Sequence, residues 1–518
     1  MRNPWRLCAT TLAVALFVAA CGGGDDNPAP STPPAPEPDM TRGALLSDQP
    51  QVMVNMSAAN LQTYLSSNAN GQSLLAIAGT PNCGISVHEF EYATVGAADE
   101  PTNATGAIMA PTGDSEACSG PRPVLLYAHG TTTDKNYNIA DIANSANAGA
   151  NEGSLIAAMY AAQGFVVVAP NYAGYHKSKL DYHPYLHRDQ QSKDMIDALA
   201  AARKAFDGLK IEASDKLLLS GYSQGGYVAM ATHAALQEAG VKVTASAPLS
   251  GPYALAAFGD AMYSGNVNLG ATIFVPMMST AYQKAYGDIY QSPEEIYEAR
   301  YASGIESLLP STQSMETLFK EGKLPQTAIF SSTSPAPMFD SITPPKEPAA
   351  FADLFALGFG EMFLIKNEAR VSYLQDAMAN PDRALETGQK AENPQHPMRK
   401  ALKDNDLRGW TPQSPVLMCG GKGDPTVFYD LNTTLMQRLW TAPSPIAPQP
   451  GMVTALDVDS DAVSGDPFAP IKQGFAQAKA AAFSQGGASG MVQAYHGGLV
   501  PPFCAAAARG FFQQVLTQ

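Results

Sequence analysis

The stretch that most constrains this chain is Leu217-Leu218-Leu219-Ser220-Gly221-Tyr222-Ser223-Gln224-Gly225-Gly226. An apolar run ends in Gly-x-Ser-x-Gly, and a helix-compatible segment rich in Ala, Met, Leu and Gln follows over residues 227–240. Strand, sharp turn and helix is the context in which this motif carries chemistry. Such a turn holds its serine in a strained backbone conformation and needs small neighbours, which Gly221 and Gly225 supply. The strain lifts the hydroxyl off the sheet edge, within reach of a base and a substrate carbonyl. Ser223 therefore reads as a nucleophile rather than an ordinary turn serine.

A serine hydroxyl is a poor nucleophile at neutral pH. It needs a base near its proton, and the base needs an anion to fix its tautomer and stabilise the imidazolium. Three histidines follow Ser223. His233 lies inside the helix after the serine, and His396 sits in Pro394-Gln395-His396-Pro397. His496 follows a short run, 491–495, that reads as a strand, and it precedes Gly497-Gly498; it is the expected base. Asp424 follows the strand-like run 415–419 and a glycine loop, and is the expected acid. Asp457, Asp459, Asp461 and Asp466 are its rivals, on a loop with no strand before it. That loop lacks the Gly and Glu of an EF-hand and reads as solvated rather than as a metal site. The oxyanion hole needs two donors: the N–H of Gln224, and one from His129-Gly130-Thr131-Thr132. Thr131 is the choice there and Thr132 the rival, with His129 structural. This chemistry needs neither a metal nor an organic cofactor.

Around the motif, runs at 123–127, 165–169, 216–219 and 241–247 read as buried strands. They alternate with helical patterns at 154–163 and 187–206. This predicts an α/β fold with a mostly parallel sheet and helices on both faces. Runs 85–96 and 104–110 alternate and read as two antiparallel strands. After residue 252 the alternation stops until 415–419. A structureless loop of that length is improbable, so residues 253–413 read as a mostly helical cap inserted between core segments 44–252 and 414–518. Phe355, Phe359, Met362 and Phe363 either line a lipid-like cleft or form the cap's own core. Tyr172, Tyr175, Tyr182 and Tyr185 either meet an acyl or polymer chain or simply pack. Residues 429–440 look helical, 441–470 irregular and acidic, and 503–516 form a closing helix.

Residues 1–20 read as an export signal: Arg2 and Arg6 precede an apolar stretch too short to span a bilayer comfortably. Val18-Ala19-Ala20-Cys21 resembles a bacterial lipobox, which implies cleavage before Cys21 and lipid on its thiol. Gly22 in place of Asp implies, by the same analogy, the outer membrane. Residues 21–43 are a Pro-rich linker. The chain has 32 basic and 47 acidic side chains, a net charge of −15 that becomes −17 without Arg2 and Arg6. That balance argues against nucleic acid. No later stretch is long enough for a membrane span, so the expected membrane contact is the lipid anchor alone. Cys83, Cys118, Cys419 and Cys504 remain, an even number in an exported chain, with three possible connectivities. Cys419 ends the strand presenting Asp424, and Cys504 opens the helix after His496. These ends must approach if acid and base meet, so Cys419–Cys504 is expected, leaving Cys83–Cys118.

His129-Gly130-Thr131, Pro170-Asn171-Tyr172-Ala173-Gly174, His183-Pro184-Tyr185-Leu186, residues 221–226, Gly423-Asp424-Pro425-Thr426-Val427 and Tyr495-His496-Gly497-Gly498 resemble the secretory lipase family of α/β-hydrolases and its bacterial esterase relatives. The resemblance covers residues 121–252 and 414–512; the cap matches in place and size only. It implies an α/β-hydrolase fold and hydrolysis of carboxylic esters, often lipids. Two positions depart from the family: His176 stands where a second glycine is expected, and Asn171 stands where Asp is usual. The expectation is a lipid-anchored serine esterase or lipase acting on a small-molecule, lipid or polymeric ester. The same triad supports a peptidase or an acyltransferase, and a third reading is a catalytically silent surface lipoprotein. Acyl length and oligomeric state are left open.

Overall fold

The computed structural model describes residues 40–47 and 49–518. The expected signal segment, Cys21 and most of the linker lie outside the described residues. Nine strands form one sheet: β1 (Gln51–Met56), β2 (Gly84–Val95), β3 (Pro101–Thr112), β4 (Arg122–Ala128), β5 (Val166–Pro170), β6 (Ala213–Tyr222), β7 (Ala245–Leu249), β8 (Val416–Gly420) and β9 (Val453–Asp457). Their order is β1-β2-β3-β5-β4-β6-β7-β8-β9. The first three pair antiparallel, as does β3 with β5, and everything from β5 to β9 is parallel. Every residue of β5, β7 and β8 is buried. That is why these strands read as continuous apolar runs instead of alternating ones: a parallel sheet is covered on both faces. Helices α1 (Ala150–Met159), α2 (Arg188–Leu209), α3 (Gln224–Glu238), α4 (Leu255–Tyr263), α5 (Ala271–Tyr286), α6 (Ala469–Ala494) and α7 (Val500–Leu516) are the ones that matter for the site. The α/β-hydrolase fold expected from the sequence is present.

β5 lies on one side of β4 and β6 on the other. The chain reverses its progress across the sheet there, and the loops after β4 and β6 diverge to leave a crevice at the carboxyl ends of the strands. Ser223 follows β6, and the His129–Thr132 loop follows β4.

Between β7 and β8 the chain contributes no strand to this sheet. It forms α4, α5, the helices Asn367–Ala379 and Pro397–Asp404, several shorter turns, and a two-residue strand pair at Phe330–Ser331 and Phe359–Gly360. Buried arginines hold it together. Arg399 pairs with Asp260 at 2.7 Å and Asp376 at 2.8 Å, and Arg408 with Asp382 at 2.6 Å and Asp406 at 2.8 Å. Arg370 is fully buried, donates to the carbonyls of Tyr263 and Ile342, and lies over the Phe330 and Phe359 rings. The four apolar residues singled out from the sequence divide. Phe355 is buried against Phe428, Phe359 packs on Phe330, Phe363 is half-buried, and Met362 is exposed; none of them lines the crevice at Ser223.

Two sequence expectations fail late in the chain. Residues 491–495 are not a strand: they end the long helix α6 and enter a π-turn, Tyr495–Leu499, that leads into α7. A short apolar run is compatible with either state, and the packing of Phe475 against Tyr495 and Phe503 selects the helix. The acidic loop does have a strand before it, since β9 pairs parallel with β8 inside the segment read as irregular. β9 is a half-buried edge strand with little apolar patterning. The disulfides Cys83–Cys118 and Cys419–Cys504 both form, with Cα atoms 5.5 and 5.6 Å apart. Among the described residues no helix is long and apolar enough to cross a membrane.

Candidate functional site

Ser223 sits at the turn between β6 and α3 with φ 59° and ψ −121°. A left-handed φ is costly for a residue bearing a Cβ and persists only where the surroundings enforce it. Here its N–H donates to the Leu249 carbonyl on β7 at 2.9 Å, and the turn is squeezed against β4. A Cβ added at Gly225 would lie 1.9 Å from the Ala128 carbonyl oxygen, and one at Gly221 would lie 2.3 Å from the Gly225 oxygen. No side chain fits at either position, which is the physical content of the two motif glycines.

His496 Nε2 lies 2.8 Å from Ser223 Oγ, and His496 Nδ1 lies 2.6 Å from Asp424 Oδ2. Asp424 is buried, and its other oxygen accepts the N–H groups of Thr426 and Val427 at 2.8 and 3.0 Å. The carboxylate is thus fixed on one side and free to take the imidazole N–H on the other. Three residues that are far apart in sequence meet in the expected order.

The rival acids do something else. Asp459 pairs with Lys479 at 2.7 Å and accepts the Tyr495 hydroxyl at 2.6 Å, and Tyr495 in turn accepts the N–H of Gly423 at 3.1 Å. Asp457 accepts the N–H of Lys422 at 3.0 Å. The acidic loop braces the turn that carries Asp424. Asp466 pairs with Lys472.

The loop after β4 is held from four sides. Tyr172 donates to the His129 carbonyl at 3.0 Å and Tyr175 to the Thr132 carbonyl at 2.8 Å, while Thr131 Oγ1 and the Tyr185 hydroxyl are 2.9 Å apart. The N–H of Gly130 donates to Glu152 at 3.1 Å. That donor is therefore occupied; Thr131 and Thr132, the next residues of the loop, line the groove at Ser223. His129 is buried between Tyr137 and Tyr172, with ring centroids at 4.4 and 4.1 Å, and burial pushes its pKa down to about 4. Tyr172, Tyr175 and Tyr182 are packing and positioning residues; only Tyr185 reaches the pocket at Ser223.

Gln224 opens α3, where no preceding helical turn can accept its N–H. Its side-chain amide donates to His183 Nε2 at 2.7 Å, and His183 Nδ1 donates to the Ala173 carbonyl at 2.9 Å. That pattern fixes the neutral tautomer, and burial lowers the His183 pKa to about 3. His233 and His396 are not brought to the site. His233 bridges Ser246 and Ser414, and His396 packs on Tyr373.

Two spaces open from Ser223. One is a narrow apolar slot walled by Leu255, Phe258 and Met262 of α4 and by Phe274, Val275 and Met278 of α5. The other is an open groove that includes His496, Gly497, Gly498 and the Thr131–Thr133 stretch. His496 borders the groove and not the slot. Sequence reasoning missed Tyr222, whose hydroxyl donates to the His496 carbonyl at 2.5 Å, together with Tyr495 and Glu152. Tyr222 lies inside the motif, but only the fold shows what its hydroxyl touches.

A model of the prolyl oligopeptidase family matches residues 152–251, which contain the Ser223 turn. The rice cell wall degrading esterase LipA from Xanthomonas oryzae, in a ligand-bound crystal structure, is 26% identical; the match covers 91% of this chain and 98% of that one, with a TM-score of 0.64. A putative hydrolase from Legionella pneumophila shares the fold at 19% identity and a TM-score of 0.60, covering 90% and 97% of the two chains. No curated protein matches. The chain is a hydrolase of the α/β-hydrolase fold, similar to an esterase of Xanthomonas oryzae.

Proposed function

We propose that this protein hydrolyses carboxylic esters through an acyl-enzyme, with Ser223 as nucleophile, His496 as base and Asp424 as its orienting acid. The observation that carries the reading is the continuous chain Ser223 Oγ–His496 Nε2 at 2.8 Å and His496 Nδ1–Asp424 Oδ2 at 2.6 Å. Ser223 attacks the carbonyl carbon while its proton passes to His496 Nε2. The negative charge developing on the carbonyl oxygen is met by the N–H groups of Gln224 and Thr131; removing one such donor typically costs about 10²–10³ in turnover. Collapse expels the alcohol, protonated by His496. Water, deprotonated by the same imidazole, then frees the acid.

His496 must reach the leaving oxygen, so the alcohol departs on the histidine side, through the open groove. The acyl chain then occupies the apolar slot, and residues 253–413 act as a cap that supplies most of its wall. The likeness to an esterase across nearly the whole chain supports esters over peptides; the shorter match to the prolyl oligopeptidase family favours a peptidase reading. The test is fluorophosphonate labelling of wild type and Ser223→Ala, followed by a panel of p-nitrophenyl esters and peptide anilides. Labelling lost in Ser223→Ala with esters cleaved and anilides spared is expected. Anilides cleaved faster than esters would turn the assignment to a peptidase.

The same proposal places the enzyme outside the cytoplasm, tethered to the outer membrane by lipid on Cys21 and by the linker 21–43. The two disulfides support an oxidising compartment. Palmitate incorporation that survives in Cys21→Ser would overturn the tether.

A further inference from the structure

Apart from His496, the groove on the histidine side of Ser223 contains one charged side chain. Its wall is otherwise neutral, with Asn70, Ser73, Asn151 and the three threonines 131–133; no lysine or arginine borders it. The exception is Glu152, in the first turn of α1. Its Oε1 accepts the Tyr127 hydroxyl at 2.9 Å and the Gly130 N–H at 3.1 Å, and its Oε2 accepts the Tyr137 hydroxyl at 3.1 Å. All three donors are neutral, and no ion pair involves Glu152 among the described residues. Burial pushes its pKa up, opposed by the same three donors. A Cβ built on Gly130 would lie 3.9 Å from Glu152 Oε2 and 3.9 Å from Ser223 Cβ. The carboxylate is therefore within about 8 Å of the nucleophile's β-carbon, on the groove side.

We infer that Glu152 sets the charge selectivity of the leaving-group groove: esters of cationic alcohols are favoured, neutral ones accepted, and anionic ones rejected. This rests on the proposed reading of the groove as the alcohol side. A unit charge on the departing alcohol sits within Coulomb range of a carboxylate that no ion pair neutralises. At this separation the interaction corresponds to about tenfold in kcat/KM for each sign. Glu152 also fixes the Gly130 N–H, and through it the whole loop. That second role affects every ester alike, so a ratio between esters isolates the charge.

The test uses three esters of one acid whose alcohols match in size: a trimethylammonium ethanol, its neutral dimethylbutanol counterpart and a sulfonate. kcat/KM is measured for wild type and Glu152→Gln at low and high salt. Wild type is expected to rank cationic above neutral above anionic, each step about tenfold, with the steps shrinking in salt and largely gone in Glu152→Gln. Unchanged ratios in Glu152→Gln overturn the inference. Should that variant fold poorly, wild type is compared on esters carrying the same charges at the end of the acyl chain. A preference confined to the alcohol supports Glu152; an equal preference at both ends reports the acidic surface as a whole and overturns it. A wild type inactive on all three esters refutes ester hydrolysis itself, whereas an active one with flat ratios refutes the role of Glu152 alone.

Discussion

The hydroxyl of Tyr222 donates to the backbone carbonyl of His496 at 2.5 Å, and the two rings lie 5.1 Å apart. The residue beside the nucleophile thus holds the residue placed to take its proton. His496 needs the help. It stands in a π-turn, and an added Cβ on the next residue, Gly497, would meet nothing within 4 Å. The imidazole is positioned by Asp424 and Tyr222, and the residue before it, Tyr495, is anchored by Asp459.

Tyr222→Phe is therefore expected to lower kcat about five- to tenfold, the effect of one hydrogen bond of roughly 1 kcal/mol, with KM nearly unchanged. Steady-state kinetics beside a thermal melt check this. A variant with wild-type kcat shows that the contact positions nothing.

Asp424→Asn should reduce kcat by roughly 10⁴, because an amide cannot orient the tautomer that accepts the serine proton. Asp459→Asn should cost far less, since Asp459 acts on the same turn only through Tyr495 and Gly423. Combined with Ser223→Ala, neither should add further loss, as members of one catalytic unit are not additive. The reverse ranking of Asp424 and Asp459 would move the acid to the loop after β9.

Met278 lies on the wall of the apolar slot, half-buried on α5. Met278→Trp should fill part of that space. Cleavage of octanoate esters is expected to fall at least tenfold against acetate esters, whose short acyl chain leaves the slot nearly empty. Equal losses on both chain lengths would take the acyl chain out of the slot.

Cys419–Cys504 spans 85 residues and joins the end of β8 to α7, flanking the loops of acid and base. In the chain-entropy picture such a closure is worth on the order of 4 kcal/mol. Replacing both cysteines by alanine should lower the melting temperature and the activity together. A melt unchanged by the replacement would mean that the strand ends are held by packing alone.

Burial pushes His129, His233 and His396 down to about 4 and His183 to about 3, against roughly 6.5 when unfolded. With folded values depressed, the stability these residues contribute is full above pH 6.5 and is lost as the pH falls toward 4. Asp194, pushed up by burial to about 7, pulls the other way over the same range. Burial also raises Glu152, Asp197 and Asp457 and lowers His88 and His187; six imidazoles outweigh four carboxyls, so the melting temperature should fall between pH 6.5 and 4. A flat or rising profile would show that these imidazoles are hydrated in solution.

The sequence by itself determined the nucleophile turn, the buried strands and the candidates for base and acid. Each is written locally: glycines that no side chain can replace, apolar runs long enough only for strands, polar residues at their ends. It also limited the pairing of the cysteines, because two strand ends that present partners must approach. Tertiary structure decided the rest. It made 491–495 helical rather than a strand, because Phe475 packs on both Tyr495 and Phe503. It gave the acidic loop a bracing role by setting β9 beside β8. It set the contacts of the Tyr222 and Tyr495 hydroxyls and of the Glu152 carboxylate, which local sequence does not show. A hydrogen bond depends on where an atom is in space, and for residues hundreds of positions apart that is fixed by the packing of the sheet, which local pattern does not encode.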